Sequence, residues 1–217
     1  MASVDSVDPT ALGATGSGAV PRSPWAVAAA VTILLSVPLA LAAQVVGGAN
    51  APQVVVHVVL TIGMLLFVRA IFDFGLPRWI NVIGAISAAL FAVIFLVQAL
   101  SSLLPENSAL DDIAFGFLGN WPERVLALGI YAWFFGLLLL DSQGRTRLIG
   151  WVIVPFVTAY HMIGAAGALL AIDVPNLGVI TLLLPFAWLL MEGIKRNASG
   201  ALGPRPPDTT RVDVPAA

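Results

Sequence analysis

Long apolar runs separated by short polar segments form the main pattern of this chain. The clearest run extends from Leu148 to Ile172, where 25 consecutive residues include one histidine, His161, and no Asp, Glu, Lys or Arg. About 20 apolar residues in a helix are enough to cross the hydrocarbon core of a bilayer. Five other runs have the same character. The pattern predicts a six-transmembrane-helix bundle, with helices at about residues 25–46, 54–72, 80–104, 122–140, 148–172 and 177–194.

The composition is that of a protein surrounded by lipid. Of the 217 residues, 59% are hydrophobic and 10% are charged, and the mean hydropathy is +0.96. Soluble proteins contain about 45–50% apolar and about 25% charged residues. We therefore expect an all-α, polytopic integral membrane protein. The chain contains no Cys, which excludes disulfides, thiolate metal sites and cysteine nucleophiles.

Polar, small and proline-containing segments stand at both ends of the chain. They predict a disordered N-terminal tail over residues 1–24 and a disordered C-terminal tail over residues 195–217. The transmembrane domain is accordingly expected over residues 25–194.

Two short motifs predict local structure between the spans. Ser108 and Asp111 have the spacing of a weak capping box, which predicts a short surface helix near residues 109–116. Arg69 and Asp73 stand four residues apart at the end of the second span, which predicts an ion pair between them.

The first apolar run has an alternative interpretation. Arg22, the apolar stretch after it, Pro38 and the small residues before Ala43 resemble a secretory signal that is cleaved before Ala43. The long leader and its acidic residues favour a retained helix. Cleavage would leave the other five spans in place.

The basic residues are distributed unevenly between alternate connections. With the N-terminus in the cytoplasm, nine Lys and Arg residues fall inside and only Arg124 falls outside. Positively charged loops stay in the cytoplasm, so we expect both termini there, in the cell membrane. The nine residues are Arg22, Arg69, Arg78, Arg145, Arg147, Lys195, Arg196, Arg205 and Arg211.

His161 is the sharpest candidate for chemistry, because an ionisable group inside a span is costly unless it is paired or used. Its helix face also carries Thr158, Gly164 and Ala165, and small residues of this kind are typical of helix contacts. The side chain is therefore expected to point into the bundle. Two interpretations stay open: a neutral packing histidine bonded to Thr158 or a neighbouring helix, and a proton or ligand site.

A second set of polar side chains falls in the outer halves of the predicted spans. His57 and Gln98 lie about 6 and about 10 Å from the outer ends of their helices, so these two side chains can meet across a hairpin. The set predicts a small polar cavity that opens outward and is floored near His161, with interfacial solvation as the alternative. The predicted ligand-binding residues are His57, Thr61, Gln98, Thr158, His161 and Thr181.

Two histidines on different spans also raise the possibility of a bis-histidine haem. The depth of His161, about 16 Å from the outer end of its helix, differs from that of His57 by about 10 Å. Such a mismatch requires strong tilting, so we expect no cofactor and keep haem as a minority alternative. The spans contain no acid pair, Ser/His/Asp set or HExxH motif, so no catalytic residue or metal site is predicted.

The favoured function is a non-enzymatic accessory, sensor or small-ligand or lipid-binding subunit. The first alternative is a small transporter or permease component, and the second is a haem-binding membrane redox protein that uses His57, His161 or both. Expected partners are the lipid bilayer and either another membrane protein or a second copy of the chain. The basic residues are too scattered for a nucleic-acid site.

Overall fold

The computed structural model describes residues 22–46, 50–104, 108–170, 172 and 178–201, and within these ranges the chain is helical and has no strand. Most of the two predicted tails, at residues 1–21 and 202–217, lies outside the described residues. The six long helices are α1 Pro24–Val46, α2 Asn50–Ile71, α3 Arg78–Ser101, α4 Trp121–Gly136, α5 Gly144–Leu170 and α6 Gly178–Ala201, and α4 continues without a break into a π-helical segment, Leu137–Asp141, which we count as the end of α4.

Five of these helices, α1 to α5, are long and apolar enough to cross a membrane, judged by length and composition. Helix α6 is not among the five. It is 24 residues long, and its last turns carry Glu192, Lys195 and Arg196. The all-α class is confirmed, and the five apolar helices are consistent with a multi-pass membrane protein.

The helices form a closed ring in chain order. Each helix packs against the next one, and α6 returns to pack against α1. The first and last helices meet where α1 begins and α6 ends, because the Ser23 backbone N–H donates to Asn197 Oδ1 over 2.8 Å. We call this end of the ring the base and the opposite end the top.

The short helix predicted between the third and fourth spans is confirmed. The Ser108 side chain caps it by accepting a hydrogen bond from the Asp111 backbone N–H over 3.3 Å. One turn of α-helix, Ala109–Asp111, continues into a wider π-helical segment, Asp112–Leu118. We call residues 109–118 the loop helix; it lies at the top, where Ser101 Oγ of α3 donates to Asp111 Oδ1 over 3.2 Å.

Aromatic side chains from alternate helices fill the centre of the ring. Phe67 of α2 contacts Trp133 and Phe134 of α4, with ring centroids 5.1 and 5.8 Å apart. Phe186 of α6 contacts both Phe67 and Phe134. Aromatic rings bury large areas and prefer such edge-on and offset contacts. The middle of the bundle is therefore packed solid.

Helices α5 and α6 approach closely enough for a tryptophan side chain to pack against a glycine of the neighbouring helix. Gly150 of α5 faces the indole of Trp188 on α6, and a Cβ atom at Gly150 would stand 2.7 Å from that ring. The indole N–H of Trp188 donates to the Thr146 backbone carbonyl over 2.7 Å. The small residue thus lets a bulky ring lie flat between α5 and α6.

The outer surface of the ring is apolar. On α3, exposed aliphatic side chains recur every three or four residues and form a continuous stripe. The residues of this stripe are Val82, Ile86, Leu90, Val93, Leu96 and Leu100.

Charged residues are buried at the base. The Arg196 guanidinium, 5% exposed, forms a 2.8 Å ion pair with Asp141 and lies 4.3 Å from the centre of the Phe74 ring. The other carboxylate interaction of Asp141 is with the Gly75 backbone N–H, over 3.0 Å. One ion pair thus joins the ends of α4 and α6 to the connection between α2 and α3.

A second buried carboxylate completes this network. Glu192 is fully buried, and it accepts a 2.7 Å hydrogen bond from the Ser142 hydroxyl and a 3.4 Å ion pair from Lys195. Lys195 Nζ also donates to the Gln143 carbonyl and to Thr146 Oγ1, over 2.7 and 3.0 Å. Two acids and two cations therefore neutralise each other.

This network changes the expected boundary of the C-terminal tail. Residues 195 and 196 were expected to begin a disordered segment, but α6 continues to Ala201. The physical reason is that Lys195 and Arg196 are held by partners on α4 and on the α4–α5 connection.

The predicted ion pair between Arg69 and Asp73 is confirmed, with a distance of 2.7 Å. Arg69 is 56% exposed, so this pair contributes little stability. Asp73 also accepts a 3.3 Å hydrogen bond from the Ser23 hydroxyl, which connects α1 to the end of α2.

The buried ion pair predicts a large difference between two arginine substitutions. Arg196→Gln leaves Asp141 without its charged partner and should lower the free energy of unfolding by about 3 kcal/mol. Arg145→Gln removes the same charge from an exposed position near the base and should change it by less than about 0.5 kcal/mol. Equilibrium unfolding in detergent measures both, and equal values for the two variants would contradict the proposed importance of the pair.

Candidate functional site

A cavity of about 310 Å³ lies at the top, between α1, α2 and the loop helix. We call it the top cavity. Its walls are mainly small or apolar, and its two polar side chains are both on α2. The described residues that line it are Ala40, Ala43, Gln53, Val56, His57 and Phe115.

Among the described residues that line the top cavity, His57 is the one best suited to form a hydrogen bond with a ligand. Its ring stacks on Phe95 of α3 with a centroid distance of 6.5 Å and contacts Phe115 of the loop helix at 5.8 Å. Its Nδ1 atom is buried and has no hydrogen-bond partner among the described residues. A buried polar atom without a partner is costly, so this nitrogen is free for a ligand.

Gln98 lies near His57, but its side chain bonds to the loop helix. Its side-chain amide is buried and donates a long, 3.4 Å hydrogen bond to the Ala114 carbonyl, next to Phe115. Gln98 therefore holds the loop helix against α3 and forms the roof of the region around His57. The expected meeting of these two side chains takes place through Phe95 and Phe115 and not through a direct hydrogen bond.

Thr61 and Thr158 use their hydroxyl groups within their own helices. Thr61 Oγ1 donates to the His57 carbonyl and Thr158 Oγ1 donates to the Val154 carbonyl, each over 2.8 Å. This pattern is common for threonine in helices. The hydroxyl of Thr158 therefore donates its hydrogen bond to Val154 and not to His161.

A second group of residues gathers on α4, α5 and α6. The His161 ring stacks on Tyr131, with centroids 4.7 Å apart and an angle of 26° between the planes. The Tyr131 hydroxyl donates to the Thr181 backbone carbonyl over 3.0 Å. Both ring nitrogens of His161 are buried and lack a hydrogen-bond partner in the described part of the chain.

The structure therefore separates the six predicted residues into two groups. His57 lines the top cavity, with Thr61 bonded to its carbonyl and Gln98 bonded to the loop helix, whereas His161 and Thr181 contact Tyr131. His161 is not among the described residues that line the top cavity, so it does not form the expected floor. No group of three or more His, Cys, Asp or Glu residues suited to a metal ion occurs among the described residues.

Four residues that contribute to these sites carry little sequence signal. Phe115 forms a wall of the top cavity, and Ala40 and Ala43 line its other side. Small residues in an apolar run do not indicate a cavity. The guanidinium of Arg124 lies against Gly164 of α5, a contact that depends on how the two helices pack.

A second, smaller cavity of about 90 Å³ lies in the ion-pair network at the base. Its walls include Asp141, Glu192, Lys195 and Arg196. The volume corresponds to about three water molecules at about 30 Å³ each. Since the charges that line it already balance, this cavity is suited to solvation of the network.

No family model, curated protein or solved structure matches this chain. The two groups of residues described above are therefore the features from which a function can be inferred.

The unpartnered nitrogens of His161 predict an unusual result for a conservative substitution. His161→Phe keeps the stacking on Tyr131 and removes two buried, unsatisfied nitrogens, so the thermal unfolding midpoint in detergent should stay the same or rise. Tyr131→Phe removes the hydrogen bond to Thr181 and should cost about 1 kcal/mol. If His161→Phe is the more damaging of the two, His161 has a packing or bonding role that this geometry does not explain.

Proposed function

We propose that this chain is a six-span protein of the cell membrane that binds a small, uncharged amphipathic molecule in the top cavity. The observation that carries the proposal is His57, which lines a mainly apolar cavity and has a buried Nδ1 atom without a hydrogen-bond partner among the described residues. The binding role is non-enzymatic, that of an accessory, sensor or ligand-binding subunit.

The membrane setting is supported by the surface of the ring. Exposed Val, Ile and Leu side chains form the stripe along α3, and similar residues are exposed on α1, α2 and α5. Soluble monomers rarely expose apolar patches of this extent. Lipid chains are the solvent that such a surface requires.

A sixth span is supported by the position of α6. This helix is 24 residues long and packs between two candidate spans, α5 and α1. Its charged residues stand near the base, where each has a partner of opposite charge. The first helix is likewise part of the ring, and Ala26, Ala30 and Ile33 are fully buried, which supports a retained helix and argues against a cleaved signal.

The charge at the two ends supports cytoplasmic termini. The base carries Arg69, Arg78 and Arg145 together with the cations of the ion-pair network, whereas the top carries Arg124. Positively charged ends of membrane helices remain in the cytoplasm. We therefore place the base inside the cell and the top outside.

The top cavity defines the kind of ligand. At about 30 Å³ for each atom, a volume of about 310 Å³ holds roughly ten non-hydrogen atoms. None of the described residues that line the cavity is an acid, a lysine or an arginine, so a charged ligand would have no counter-ion there. A ligand that consists of a short apolar body and one hydroxyl or carbonyl group fits the volume of the cavity. Its polar group offers a hydrogen-bonding partner to His57 Nδ1.

Binding fits the structure better than passage through the bundle. The packed ring of Phe67, Trp133, Phe134 and Phe186 blocks the centre of the described bundle. A transporter requires a route between the two ends, and this aromatic packing would have to separate to provide one. A cavity at one end with a solid floor is the geometry of a receptor site.

The orientation is testable because the natural chain has no cysteine. Phe117→Cys stands at the top and Arg145→Cys at the base, and both positions are exposed. A membrane-impermeant maleimide should label the Phe117 variant in intact cells and the Arg145 variant only after permeabilisation. The reverse result would invert the topology, and labelling of both variants in intact cells would overturn the span count.

Ligand binding is testable with a photoactivatable probe, a medium-chain alcohol that carries a diazirine. In the wild type the probe should attach to peptides of α1 and α2 near the top. Ala43→Trp fills the top cavity, and His57→Phe keeps the ring but removes its nitrogens, so each should reduce labelling about tenfold.

Ala159→Trp is the matched control, because the same change is made on an exposed position of α5. It should leave labelling of α1 and α2 intact. Equal labelling of the wild type and the Ala43 variant would rule out the top cavity as the binding site.

A further inference from the structure

The side chain of Arg124 lies in the groove between α4 and α5, close to the top. Arg124 follows the start of α4 by one turn, and its guanidinium occupies the space that a Cβ atom at Gly164 would need. Gly164 is buried on α5. A glycine at this position lets the guanidinium pack directly against the helix backbone.

This guanidinium has no partner in the described part of the chain. Its nitrogens form no hydrogen bond there, and no carboxylate oxygen of a described residue lies within 4.0 Å, whereas Arg69, Lys195 and Arg196 all have ion pairs. Glu123, the neighbouring acid, forms no ion pair with Arg124, unlike the acids that pair with Arg69, Lys195 and Arg196. The charge of Arg124 is therefore available to an anionic group.

The unpartnered ring of His161 belongs to the same groove. His161 precedes Gly164, the residue that the Arg124 guanidinium contacts, by about one helical turn on α5. Tyr131 and Tyr160 hold the ring in place, with centroid distances of 4.7 and 5.3 Å. The Arg124 guanidinium and the two buried, unpartnered nitrogens of His161 therefore lie about one turn apart along α5, on its side facing α4.

We propose that the groove between α4 and α5 binds an oxyanion group, a carboxylate or a phosphate, with Arg124 as the charged donor and His161 as a second hydrogen-bonding group. Arginine binds both groups well, because its planar fork presents two parallel N–H donors. This site shares the membrane setting with the proposed function, but it lies on other helices and accepts the opposite class of ligand.

The oxyanion has two possible sources, an acidic lipid headgroup and a free anion from the outer solution. To separate them, the protein is reconstituted in nanodiscs of phosphatidylcholine alone or with phosphatidylglycerol, and the first kind is titrated with inorganic phosphate or acetate. Native mass spectrometry counts the retained lipids, and the thermal midpoint reports the free anions. Preferential retention of phosphatidylglycerol identifies a lipid, and a midpoint that rises only with phosphate or acetate identifies a free anion.

Three variants and one control test the site. Arg124→Gln removes the charge, Gly164→Ala keeps the charge but displaces the guanidinium, and His161→Phe removes the second bonding group. Affinity for the anionic species should fall about tenfold or more in the first two variants and less in the third. Arg145→Gln removes an exposed charge at the base and should leave affinity unchanged.

The outcomes decide the proposal even if one variant folds poorly. Should Arg124→Gln be unstable, Gly164→Ala alone must still weaken binding, since it changes the position of the guanidinium and not the charge. Unchanged binding in both variants, or an equal loss in Arg145→Gln, overturns the proposal. Neutral photoprobe labelling of the top cavity should persist in all four variants, so failure of this site and failure of the proposed function are distinguishable.

Discussion

The rest of the structure depends on how buried charge is neutralised at the base. Removing an ion from water costs several kcal/mol, and a membrane offers no water to restore the loss. Arg196 and Glu192 are buried in this bundle, and each has an opposite charge and further hydrogen bonds in place. Because these partners come from the end of α4, the α4–α5 connection and α6, satisfying the charges also fixes the position of α6 relative to the end of α4. The ring can close only in a register where this network forms.

Above the base, aromatic packing and indole hydrogen bonds set the register of the helices. Lipid gives apolar side chains little reason to prefer one another, so shape and bonding must select the helix contacts. Trp133 and Trp188 supply both, since each bulky ring packs in the interior and each indole N–H has an acceptor, Asn81 Oδ1 or the Thr146 carbonyl. The rings of Phe67 and Phe186 then fill the centre. Such packing yields a rigid lower half on which the top is built.

Sequence reasoning succeeded where the signal was local and failed where it was spatial. Apolar length predicted the helices, and the Ser108 cap and the Arg69–Asp73 pair followed from spacing along one helix or turn. The role of Arg196 was missed because its partner, Asp141, stands 55 residues earlier and only folding brings them together. The contacts of His57 with Phe115 and of His161 with Tyr131 could not be predicted for the same reason: helix depth can be counted from a sequence, but the neighbours around a ring depend on packing.

The two ends of the bundle differ in how fully their polar groups are satisfied. At the base, the buried acids and the cations Lys195 and Arg196 have partners, although Arg196 Nε itself lacks one. Towards the top, the described part of the chain leaves His57 Nδ1, both nitrogens of His161 and the guanidinium of Arg124 without a hydrogen bond. Natural proteins pair almost all of their buried polar atoms. Both proposed binding sites rest on such groups, which the described fold leaves without partners towards one end of a bundle with a packed centre.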